Sequence, residues 1–315
     1  MRKGQNPAKF VNTVSRPERI TAAVLSYVPF LSGYYAEALD VLRACLDSMR
    51  TDAGLPFDIM VFDNGSCSEV REYLVAEKEA GHIQYLVLSE RNVGKGGAWN
   101  IILGGAPGEI IAYCDSDVLF SPNWLKRSVE LLETFPNVGM VTARPFRTPP
   151  DLYQATLDWA RKEADLSSGN FIPWETFLEF NLSLGQSEEE NRRVYSETRD
   201  WRIAYKGLTA FVGSSHWQFT GWKATLQRFL PFEMDKPMGE VRQLDRRVND
   251  AGLLRLMVPE PLAMNLSNTL GYLRGELGRG IRTGRRSIGR LVLNFGLVRK
   301  TLLAIYNRIF RWYYM

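Results

Sequence analysis

Runs of apolar residues and segments with helical periodicity alternate through the first 148 residues of the chain. Between the apolar runs, residues 34–50 place apolar side chains every three to four positions, which is typical of a helix with one buried face. Strict alternation of strands and helices predicts a parallel sheet covered by helices on both faces. The runs that predict strands are 20–27, 57–63, 83–88, 109–113 and 138–142.

Two local patterns predict where helices begin. Ser66 and Glu69 have the spacing of a capping box, in which the two side chains bond to each other's backbone N–H groups. Ser121 followed by Pro122 suits an N-cap and the first residue of a helix. We therefore expect one helix directly after Ser66 and another from Pro122 to Phe135.

The alternation stops at residue 149, which divides the chain. Residues 149–205 mix aromatic side chains with an acidic run, and we expect a mostly helical insertion there. A helical pattern near 221–229, another near 239–251 and a strand-like run over 253–258 then resume the rhythm. We expect five regions: a flexible arm (1–19), a first α/β half (20–148), the insertion (149–205), a second half (206–270) and a basic amphipathic helical tail (271–315).

The net charge of +4 is distributed unevenly. Residues 271–315 carry +9, which leaves −5 on residues 1–270. Basic residues interleaved with Leu, Phe and Trp favour a helix lying on an anionic membrane surface, although a helix packed on the body and a partner-binding tail stay open. No apolar stretch approaches the roughly 20 residues of a spanning helix. The acidic body argues against nucleic acid as a partner.

Cysteine and histidine usage narrows the compartment and the chemistry. The three cysteines are too few for a disulfide framework and suit a reducing compartment. The first nineteen residues lack the apolar stretch of a signal peptide. We expect a cytoplasmic protein, peripheral at the inner face of the membrane if the tail binds there. The two histidines exclude a histidine-rich zinc site.

Polar residues cluster where the predicted strands end. Asp115 and Asp117 directly follow the fourth apolar run, and Pro29, Asp63 and Asn92 stand at comparable places. Open α/β sheets bind ligands beyond the carboxyl ends of their strands. Carboxylates suit Mg²⁺ or Mn²⁺, which bind proteins through one or two carboxylates plus substrate phosphates. This context favours a metal–phosphate site over a solvated turn or a helix cap.

The strand ending near Pro29 is followed by three motifs, Val61-Phe62-Asp63-Asn64-Gly65-Ser66, Asn92-Val93-Gly94 continuing to Asn100, and Asp115-Ser116-Asp117. In this order and spacing, these four elements resemble those of family 2 glycosyltransferases. The resemblance covers about the first 150 residues. It implies the GT-A fold, in which helices flank a mostly parallel α/β sheet. It also makes 20–148 the nucleotide-sugar-binding half and 206–270 the acceptor-binding and catalytic half.

The resemblance also implies roles for single residues at the donor site. The strand ending near Pro29 and the Asp63 carboxylate would hold the nucleoside. Glycines would let the backbone approach the ligand, and Lys95 would meet a phosphate as a point charge. Asp115 would face the ribose or the metal, and Asp117 would be the firmer metal ligand. The full donor set is Pro29, Asp63, Asn92, Gly94, Lys95, Gly97 and Asp115.

The second half departs from the family pattern at two positions. Counting back from Gly252, Val241 stands where an aspartate base is usual, whereas the pattern of some relatives fits Asp245. We favour Asp245 as the general base, with Glu240 second. Asn265 stands where the family often has a histidine that completes the metal site, and its amide oxygen is still a ligand for a hard cation.

One further residue and the overall function complete the sequence-based expectations. His216 has the titration range of a base, although a hydrogen-bonded structural role is the more common use of such a residue. We expect a metal-dependent glycosyltransferase, inverting by resemblance, that moves sugar from UDP- or another NDP-sugar to a glycan or lipid-linked acceptor. The alternative is a non-catalytic nucleotide-sugar-binding protein. A dinucleotide dehydrogenase lacks its glycine fingerprint here.

Overall fold

The computed structural model describes residues 4–233, 241–276 and Arg308, which form twelve strands and nine α-helices. The strands are β1 Ile20–Ser26, β2 Asp58–Asp63, β3 Tyr85–Leu88, β4 Ile110–Asp115, β5 Val118–Phe120, β6 Val138–Thr142, β7 Asp165–Gly169, β8 Asp200–Tyr205, β9 Leu208–Val212, β10 Gln218–Trp222, β11 Leu254–Met257 and β12 Ala263–Asn265. The helices are α1 Ala38–Arg50, α2 Ser68–Glu79, α3 Gly94–Gly105, α4 Trp124–Thr134, α5 Gln154–Glu163, α6 Trp174–Ser183, α7 Glu188–Glu197, α8 Lys223–Gln227 and α9 Gln243–Asp250.

Ten strands form one sheet in the order β3-β2-β1-β4-β10-β6-β11-β9-β8-β7. The first four pair in parallel, as the alternation of strands and helices predicts. β10 enters antiparallel between β4 and β6, and β7, β8 and β9 pair antiparallel at the far edge. Seven strands still run in one direction, since only β7, β9 and β10 oppose it. The predicted α/β class with a mostly parallel sheet is confirmed.

Each face of the sheet has its own hydrophobic core. Alternate side chains of β1 point to opposite faces, so Ala22 and Val24 join one core while Ala23 and Leu25 join the other. Helices α1, α2 and α4 cover the first face, and α3, α8 and α9 cover the second. The predicted two-faced covering of the sheet is therefore present.

The predicted capping box at Ser66 does not form. The Ser66 hydroxyl accepts a hydrogen bond from Val28 N at 3.0 Å, which ties the turn after β2 to the end of β1. Helix α2 begins two residues later at Ser68, where the Glu69 carboxylate accepts from the Ser68 hydroxyl at 3.0 Å. The side chain that was expected to cap the helix serves a contact between strand ends instead.

The helix expected from Pro122 also begins later than predicted. Ser121 N donates to Leu262 O at 2.9 Å, so the backbone of Ser121 continues the pairing of β5 with the chain before β12. Asn123 then adopts a left-handed conformation with φ of 65°, and α4 starts at Trp124. Ser121 and Pro122 form a turn and not the start of the helix, because the backbone of Ser121 is hydrogen-bonded to the distant residue Leu262.

The insertion over 149–205 contains α5, α6 and α7, and it also contributes strands β7 and β8. In β8 the side chains of Trp201, Ile203 and Tyr205 are buried or half-buried, whereas Arg202 and Ala204 are exposed. This period of two is the strand pattern, and it extends the large sheet by antiparallel pairing with β9. The insertion is thus mostly helical and also adds two antiparallel strands, β7 and β8, at one end of the sheet.

A second, two-stranded sheet pairs β12 with β5 in antiparallel register, with Asn265 opposite Val118. The chain divides into two units, residues 1–276 and residues 277–315, and the first of them is compact. Of the second unit only Arg308 is described, so the predicted membrane contact of the tail lies outside the described residues. Within the described part of the chain, no helix combines the length and the apolar character needed to cross a bilayer.

Candidate functional site

The turn after β2 holds the first predicted donor residue, Asp63. Its side chain is fully buried, and both carboxylate oxygens accept from Ser66 N at 3.2–3.3 Å. Arg71 Nε donates to Asp63 Oδ2 at 3.3 Å. The protein therefore already satisfies this carboxylate, which fixes the turn at the end of β2. Its predicted contact with a nucleoside stays a prediction.

The second motif meets the first through side-chain hydrogen bonds. Asn64 Nδ2 donates to Asn92 Oδ1 at 2.9 Å, and Asn64 Oδ1 accepts from Val93 N at 2.8 Å. Asn92 Oδ1 also accepts from Gly94 N at 2.7 Å, where α3 begins and the backbone has φ of 73°. The two asparagines thereby tie the start of α3 to the end of β2. Pro29 is half-buried and follows Val28, whose carbonyl accepts from Cys67 N at 2.9 Å.

Gly65 is the tightest point of this junction. A Cβ there would lie 2.9 Å from the carbonyl carbon of Arg91 and 3.0 Å from Asn92 N, and φ is +89°. Gly65→Ala is expected to lower the free energy of unfolding by about 2–3 kcal/mol, since left-handed strain and a backbone clash add. Urea denaturation monitored by circular dichroism measures this loss.

Gly81→Ala is the matched control, because Gly81 has φ of +81° with nothing within 4 Å of the added Cβ. It should show only the conformational part of the loss, about 1 kcal/mol. Equal losses for the two variants would contradict a specific close approach of Gly65 to residues 91–92.

Asp115 at the end of β4 is held by two partners. Lys95 Nζ lies 2.7 Å from Asp115 Oδ2, and the Tyr113 hydroxyl donates to Asp115 Oδ1 at 2.7 Å. Lys95 is 9% exposed, and its ammonium lies 5.4 Å from the centre of the Trp99 ring. Burial, with the nearby Asp115 charge, raises the pKa of Tyr113 well above its ordinary value. Both oxygens of Asp115 are thus engaged in this state of the site.

Asp117 is in the opposite situation. Its Oδ1 is buried and has no hydrogen-bond partner among the described residues. Burial, followed by the neighbouring Asp115 charge, raises the pKa of Asp117 to about 7, while Lys95 and the Asn265 side chain act to lower it. Leu266 N donates to Asp117 O at 2.7 Å, which secures β12 beside this residue. A buried carboxylate oxygen without a donor is the kind of ligand that a cation satisfies.

The donor set around Asp117 fits a hard cation in part. Asn265 lies beside it through the β5–β12 pairing, although Asn265 Oδ1 also accepts from Ser267 N at 2.8 Å. No cluster of three His, Cys, Asp or Glu side chains with metal-site geometry occurs in the parts of the chain that the structure describes. A cation here would be held by Asp117 and Asn265, and phosphate oxygens would have to complete its shell.

The predicted base Asp245 lies inside the protein. It is 2% exposed, its Oδ1 is paired with the guanidinium of the fully buried Arg255, and its Oδ2 lies 2.6 Å from His216 Nδ1. Arg255 also donates to Ser214 Oγ at 2.8 Å. Burial lowers the pKa of Arg255, and the Asp245 charge opposes that shift. Neither Asp245 oxygen is open to an acceptor, and Glu240, the second candidate, lies outside the described residues.

The pair formed by His216 and Asp245 neighbours the acidic site. Asp115 N donates to Trp217 O at 2.8 Å, so His216 is one residue from the end of β4. Trp99 of α3 packs edge-on against Tyr113, with ring centres 5.9 Å apart, and against His216, with centres 6.4 Å apart. The fold thus brings together the start of α3, the end of β4 and the turn before β10. Gly97, the remaining predicted donor residue, is buried within α3.

Two residues of this region were missed by the sequence reasoning. Tyr113 stands two positions before Asp115 and so shares its side of β4, which the strand period indicates. Arg255 is a charged residue inside the otherwise apolar run of β11, and a charge in that position signals a buried partner. Both signals are present in the sequence.

The model of a known protein family matches the part of the chain that carries the predicted donor-site residues Asp63, Asn92, Asp115 and Asp117. Residues 34–182, which are 149 of the 315, match the model of a family described as "Glycosyl transferase family 2". The matched region contains Asp63, Asn92, Asp115 and Asp117. It ends before β10, β11 and β12, so it does not include His216, Asp245 or Asn265.

Two curated relatives each match about a third of the chain. "Uncharacterized glycosyltransferase alr2836" of Nostoc sp. is 28% identical over 100 residues, which are 32% of this chain and 31% of that protein. "Succinoglycan biosynthesis protein ExoO" of Rhizobium meliloti is 33% identical over 103 residues, 33% of this chain and 29% of that protein. The chain thus matches these relatives over about a third of their length.

A solved structure similar to this chain is "Mannosyltransferase PcManGT from Pyrobaculum calidifontis in complex with GDP-Man and Mn2+". The two chains are 18% identical, with a TM-score of 0.44. The superposition covers 78% of this chain and 55% of that one.

Proposed function

We propose that this protein, whose residues 34–182 match the model of glycosyl transferase family 2, transfers a sugar from a nucleotide-diphosphate sugar to an acceptor hydroxyl. The observation that carries the proposal is Asp117, whose buried Oδ1 has no partner among the described residues and lies at the carboxyl end of a mostly parallel sheet. That is the place where sheets of this class bind ligands.

A divalent cation, Mg²⁺ or Mn²⁺, would be held by Asp117 and Asn265. When bound, it supplies positive charge that stabilises the diphosphate as the sugar leaves. Asp115 joins it only if its oxygens turn from Lys95 and Tyr113, whose hydrogen bonds now occupy both. Lys95 is then free to pair with a phosphate oxygen in place of Asp115.

The N-terminus of α3 is a suitable binding place for the diphosphate. Its first residues are Gly94, Lys95, Gly96 and Gly97, and the N-terminal N–H groups of a twelve-residue helix favour an anion. Asn92 and Asn64 orient this start from the end of β2. Pro29 and Asp63 would border the nucleoside on the β1–β2 side of the same edge.

The acceptor is proposed to be a glycan or lipid-linked sugar, with inversion at the anomeric carbon. The relative named for succinoglycan biosynthesis supports a polysaccharide context. The second candidate function is nucleotide-sugar binding without transfer. It is favoured by one observation, the enclosure of Asp245, because the carboxylate that the sequence predicts as the base is then not open to an acceptor.

A thermal-shift screen of UDP- and GDP-sugars with and without Mn²⁺ tests the proposal. A ligand at a hundred times its Kd adds about 2.7 kcal/mol to the free energy of unfolding, and the melting temperature rises accordingly. We expect a rise that needs both the nucleotide sugar and Mn²⁺, together with release of nucleoside diphosphate. A metal-dependent shift without any release favours the binding protein. Absence of any shift overturns both functions.

A further inference from the structure

His216 and Asp245 form a hydrogen-bonded pair in which the carboxylate is enclosed and the imidazole reaches the surface. Their atoms Nδ1 and Oδ2 lie 2.6 Å apart, and the side chains are 20% and 3% exposed, respectively. A hydroxyl group arriving from solvent therefore meets the imidazole ring before it meets the carboxylate. The geometry separates the group that contacts an acceptor from the group that orients it.

Arg255 decides which nitrogen of His216 carries the proton. Its guanidinium is charged, is fully buried and contacts Asp245 Oδ1, so Arg255 and the Asp245 carboxylate form a buried ion pair. An ionised carboxylate only accepts hydrogen bonds, and His216 Nδ1 is consequently the donor. In the neutral imidazole, Nε2 then keeps its lone pair and is the basic atom.

The place of Nε2 in the fold suits a base. No hydrogen-bond partner of Nε2 occurs in residues 4–233 or 241–276, apart from which only Arg308 is described. The following residue, Trp217, binds Asp115 N through its carbonyl, and Trp99 packs against both Tyr113 and His216. The imidazole therefore stands beside the proposed diphosphate and cation site.

The charged and titratable groups around His216 come from four elements. Asp245 faces it from α9, and Arg255 lies behind Asp245 on β11. Lys95 of α3 and Tyr113 of β4 also contact the Trp99 ring, and both are hydrogen-bonded to Asp115. Of these groups only Asp245 is hydrogen-bonded to the ring, so Asp245 is the group that sets its tautomer.

We propose that His216 is the catalytic base and that Asp245 is its positioning residue, an assignment that rests on the proposed function. Nε2 takes the acceptor hydroxyl proton while the hydroxyl oxygen forms a bond to the anomeric carbon. The bond from that carbon to the diphosphate oxygen breaks, and its electron pair leaves with the nucleoside diphosphate. Asp245 stabilises the imidazolium that results, and the proton then passes to solvent.

The test uses His216→Gln, Asp245→Asn and the control His82→Gln in the full-length protein. His82 is the only other histidine and also contacts a carboxylate, with Nδ1 3.2 Å from Glu77 Oε2, but it lies on the surface after α2. The substrate is the nucleotide sugar that gives the largest Mn²⁺-dependent thermal shift. The sugar passes to water or to an added sugar acceptor, and the release of nucleoside diphosphate is measured as a function of pH.

We expect His216→Gln to lower kcat by about 10²–10⁴-fold, to remove the acidic limb of the pH profile and to leave the nucleotide-sugar thermal shift unchanged. Asp245→Asn should lower kcat while KM for the donor stays within about threefold, and His82→Gln should match the wild type. With only two histidines, ¹⁵N spectra of histidine-labelled protein should show His216 as the Nδ1–H tautomer at pH 8.

Two results overturn this assignment while leaving the proposed function intact. One is a His216→Gln variant that binds donor normally and keeps kcat and its pH profile. The other is an Nε2–H tautomer for His216 in the wild-type spectrum, because that proton would occupy the basic atom. A wild-type protein that shows no nucleotide-dependent shift and no release fails earlier, and both the transferase and its base are then rejected.

Discussion

Asp117→Asn is expected to abolish the Mn²⁺-dependent part of the thermal shift and to lower nucleoside diphosphate release by about 10²–10³-fold. The physical reason is the buried Oδ1, which has no hydrogen-bond partner in the described part of the chain and is therefore an oxygen that can bind a cation. Loss of a cation that contributes several kcal/mol of charge stabilisation corresponds to a rate loss of this size. Isothermal titration with Mn²⁺ and a coupled release assay measure the two effects.

The apo form of this variant should be at least as stable as the wild type. Removing a carboxylate whose buried Oδ1 has no donor among the described residues relieves a desolvation cost, which a bound cation would offset in the wild type. Asp165→Asn is the control, since Asp165 is exposed on the edge strand β7 and should change neither quantity. An Asp117→Asn protein that still shows the full Mn²⁺-dependent shift would contradict the assignment of the cation to this residue.

The second large effect is on stability, at Arg255. Arg255→Met is expected to lower the free energy of unfolding by about 3–5 kcal/mol, because Asp245 is left enclosed without its guanidinium partner. Urea denaturation gives the free energies.

The double variant Arg255→Met/Asp245→Leu should recover most of that loss, because no unpaired charge then remains inside. Arg192→Met is the matched control for the removal of an ion-paired arginine. Its partner Glu188 and Arg192 itself are 54% and 67% exposed, and such pairs contribute about 0–1 kcal/mol. If Arg255→Met were no more destabilising than Arg192→Met, the expected cost of leaving Asp245 enclosed without its guanidinium partner would be contradicted.

Sequence periodicity was sufficient for the part of the fold built from neighbouring strands and helices. The strands β1, β2, β3 and β4 pair with one another in parallel and are connected by helices, and each strand is recognisable from its local composition. The strands β5 and β12 are only three residues long and exist because distant segments pair with each other. Nothing in the local sequence signals such pairing, and the helix expected from Pro122 was displaced for the same reason.

The site shows a similar division. The acidic motif and the asparagine–glycine motif were found from their positions at strand ends. The partners of those residues were not, because Lys95 and Tyr113 reach Asp115 only through the packing of α3 on β4. The contact of His216 with Asp245 joins a turn and a helix 29 residues apart, and the sequence alone favoured Asp245 itself as the base. Tertiary packing decides which member of the pair meets solvent.

The placement of β10 has a consequence for any shortened version of this protein. β10 is the strand that lies between β4 and β6, and β11 is the next neighbour of β6. A fragment that stops at residue 182 keeps the whole family match, yet it leaves both sides of β6 and one side of β4 without hydrogen-bonding neighbours. Such a fragment should associate through these open edges and bind no nucleotide. Motif content and foldable unit therefore differ in this chain, and expression trials need residues at least through β12.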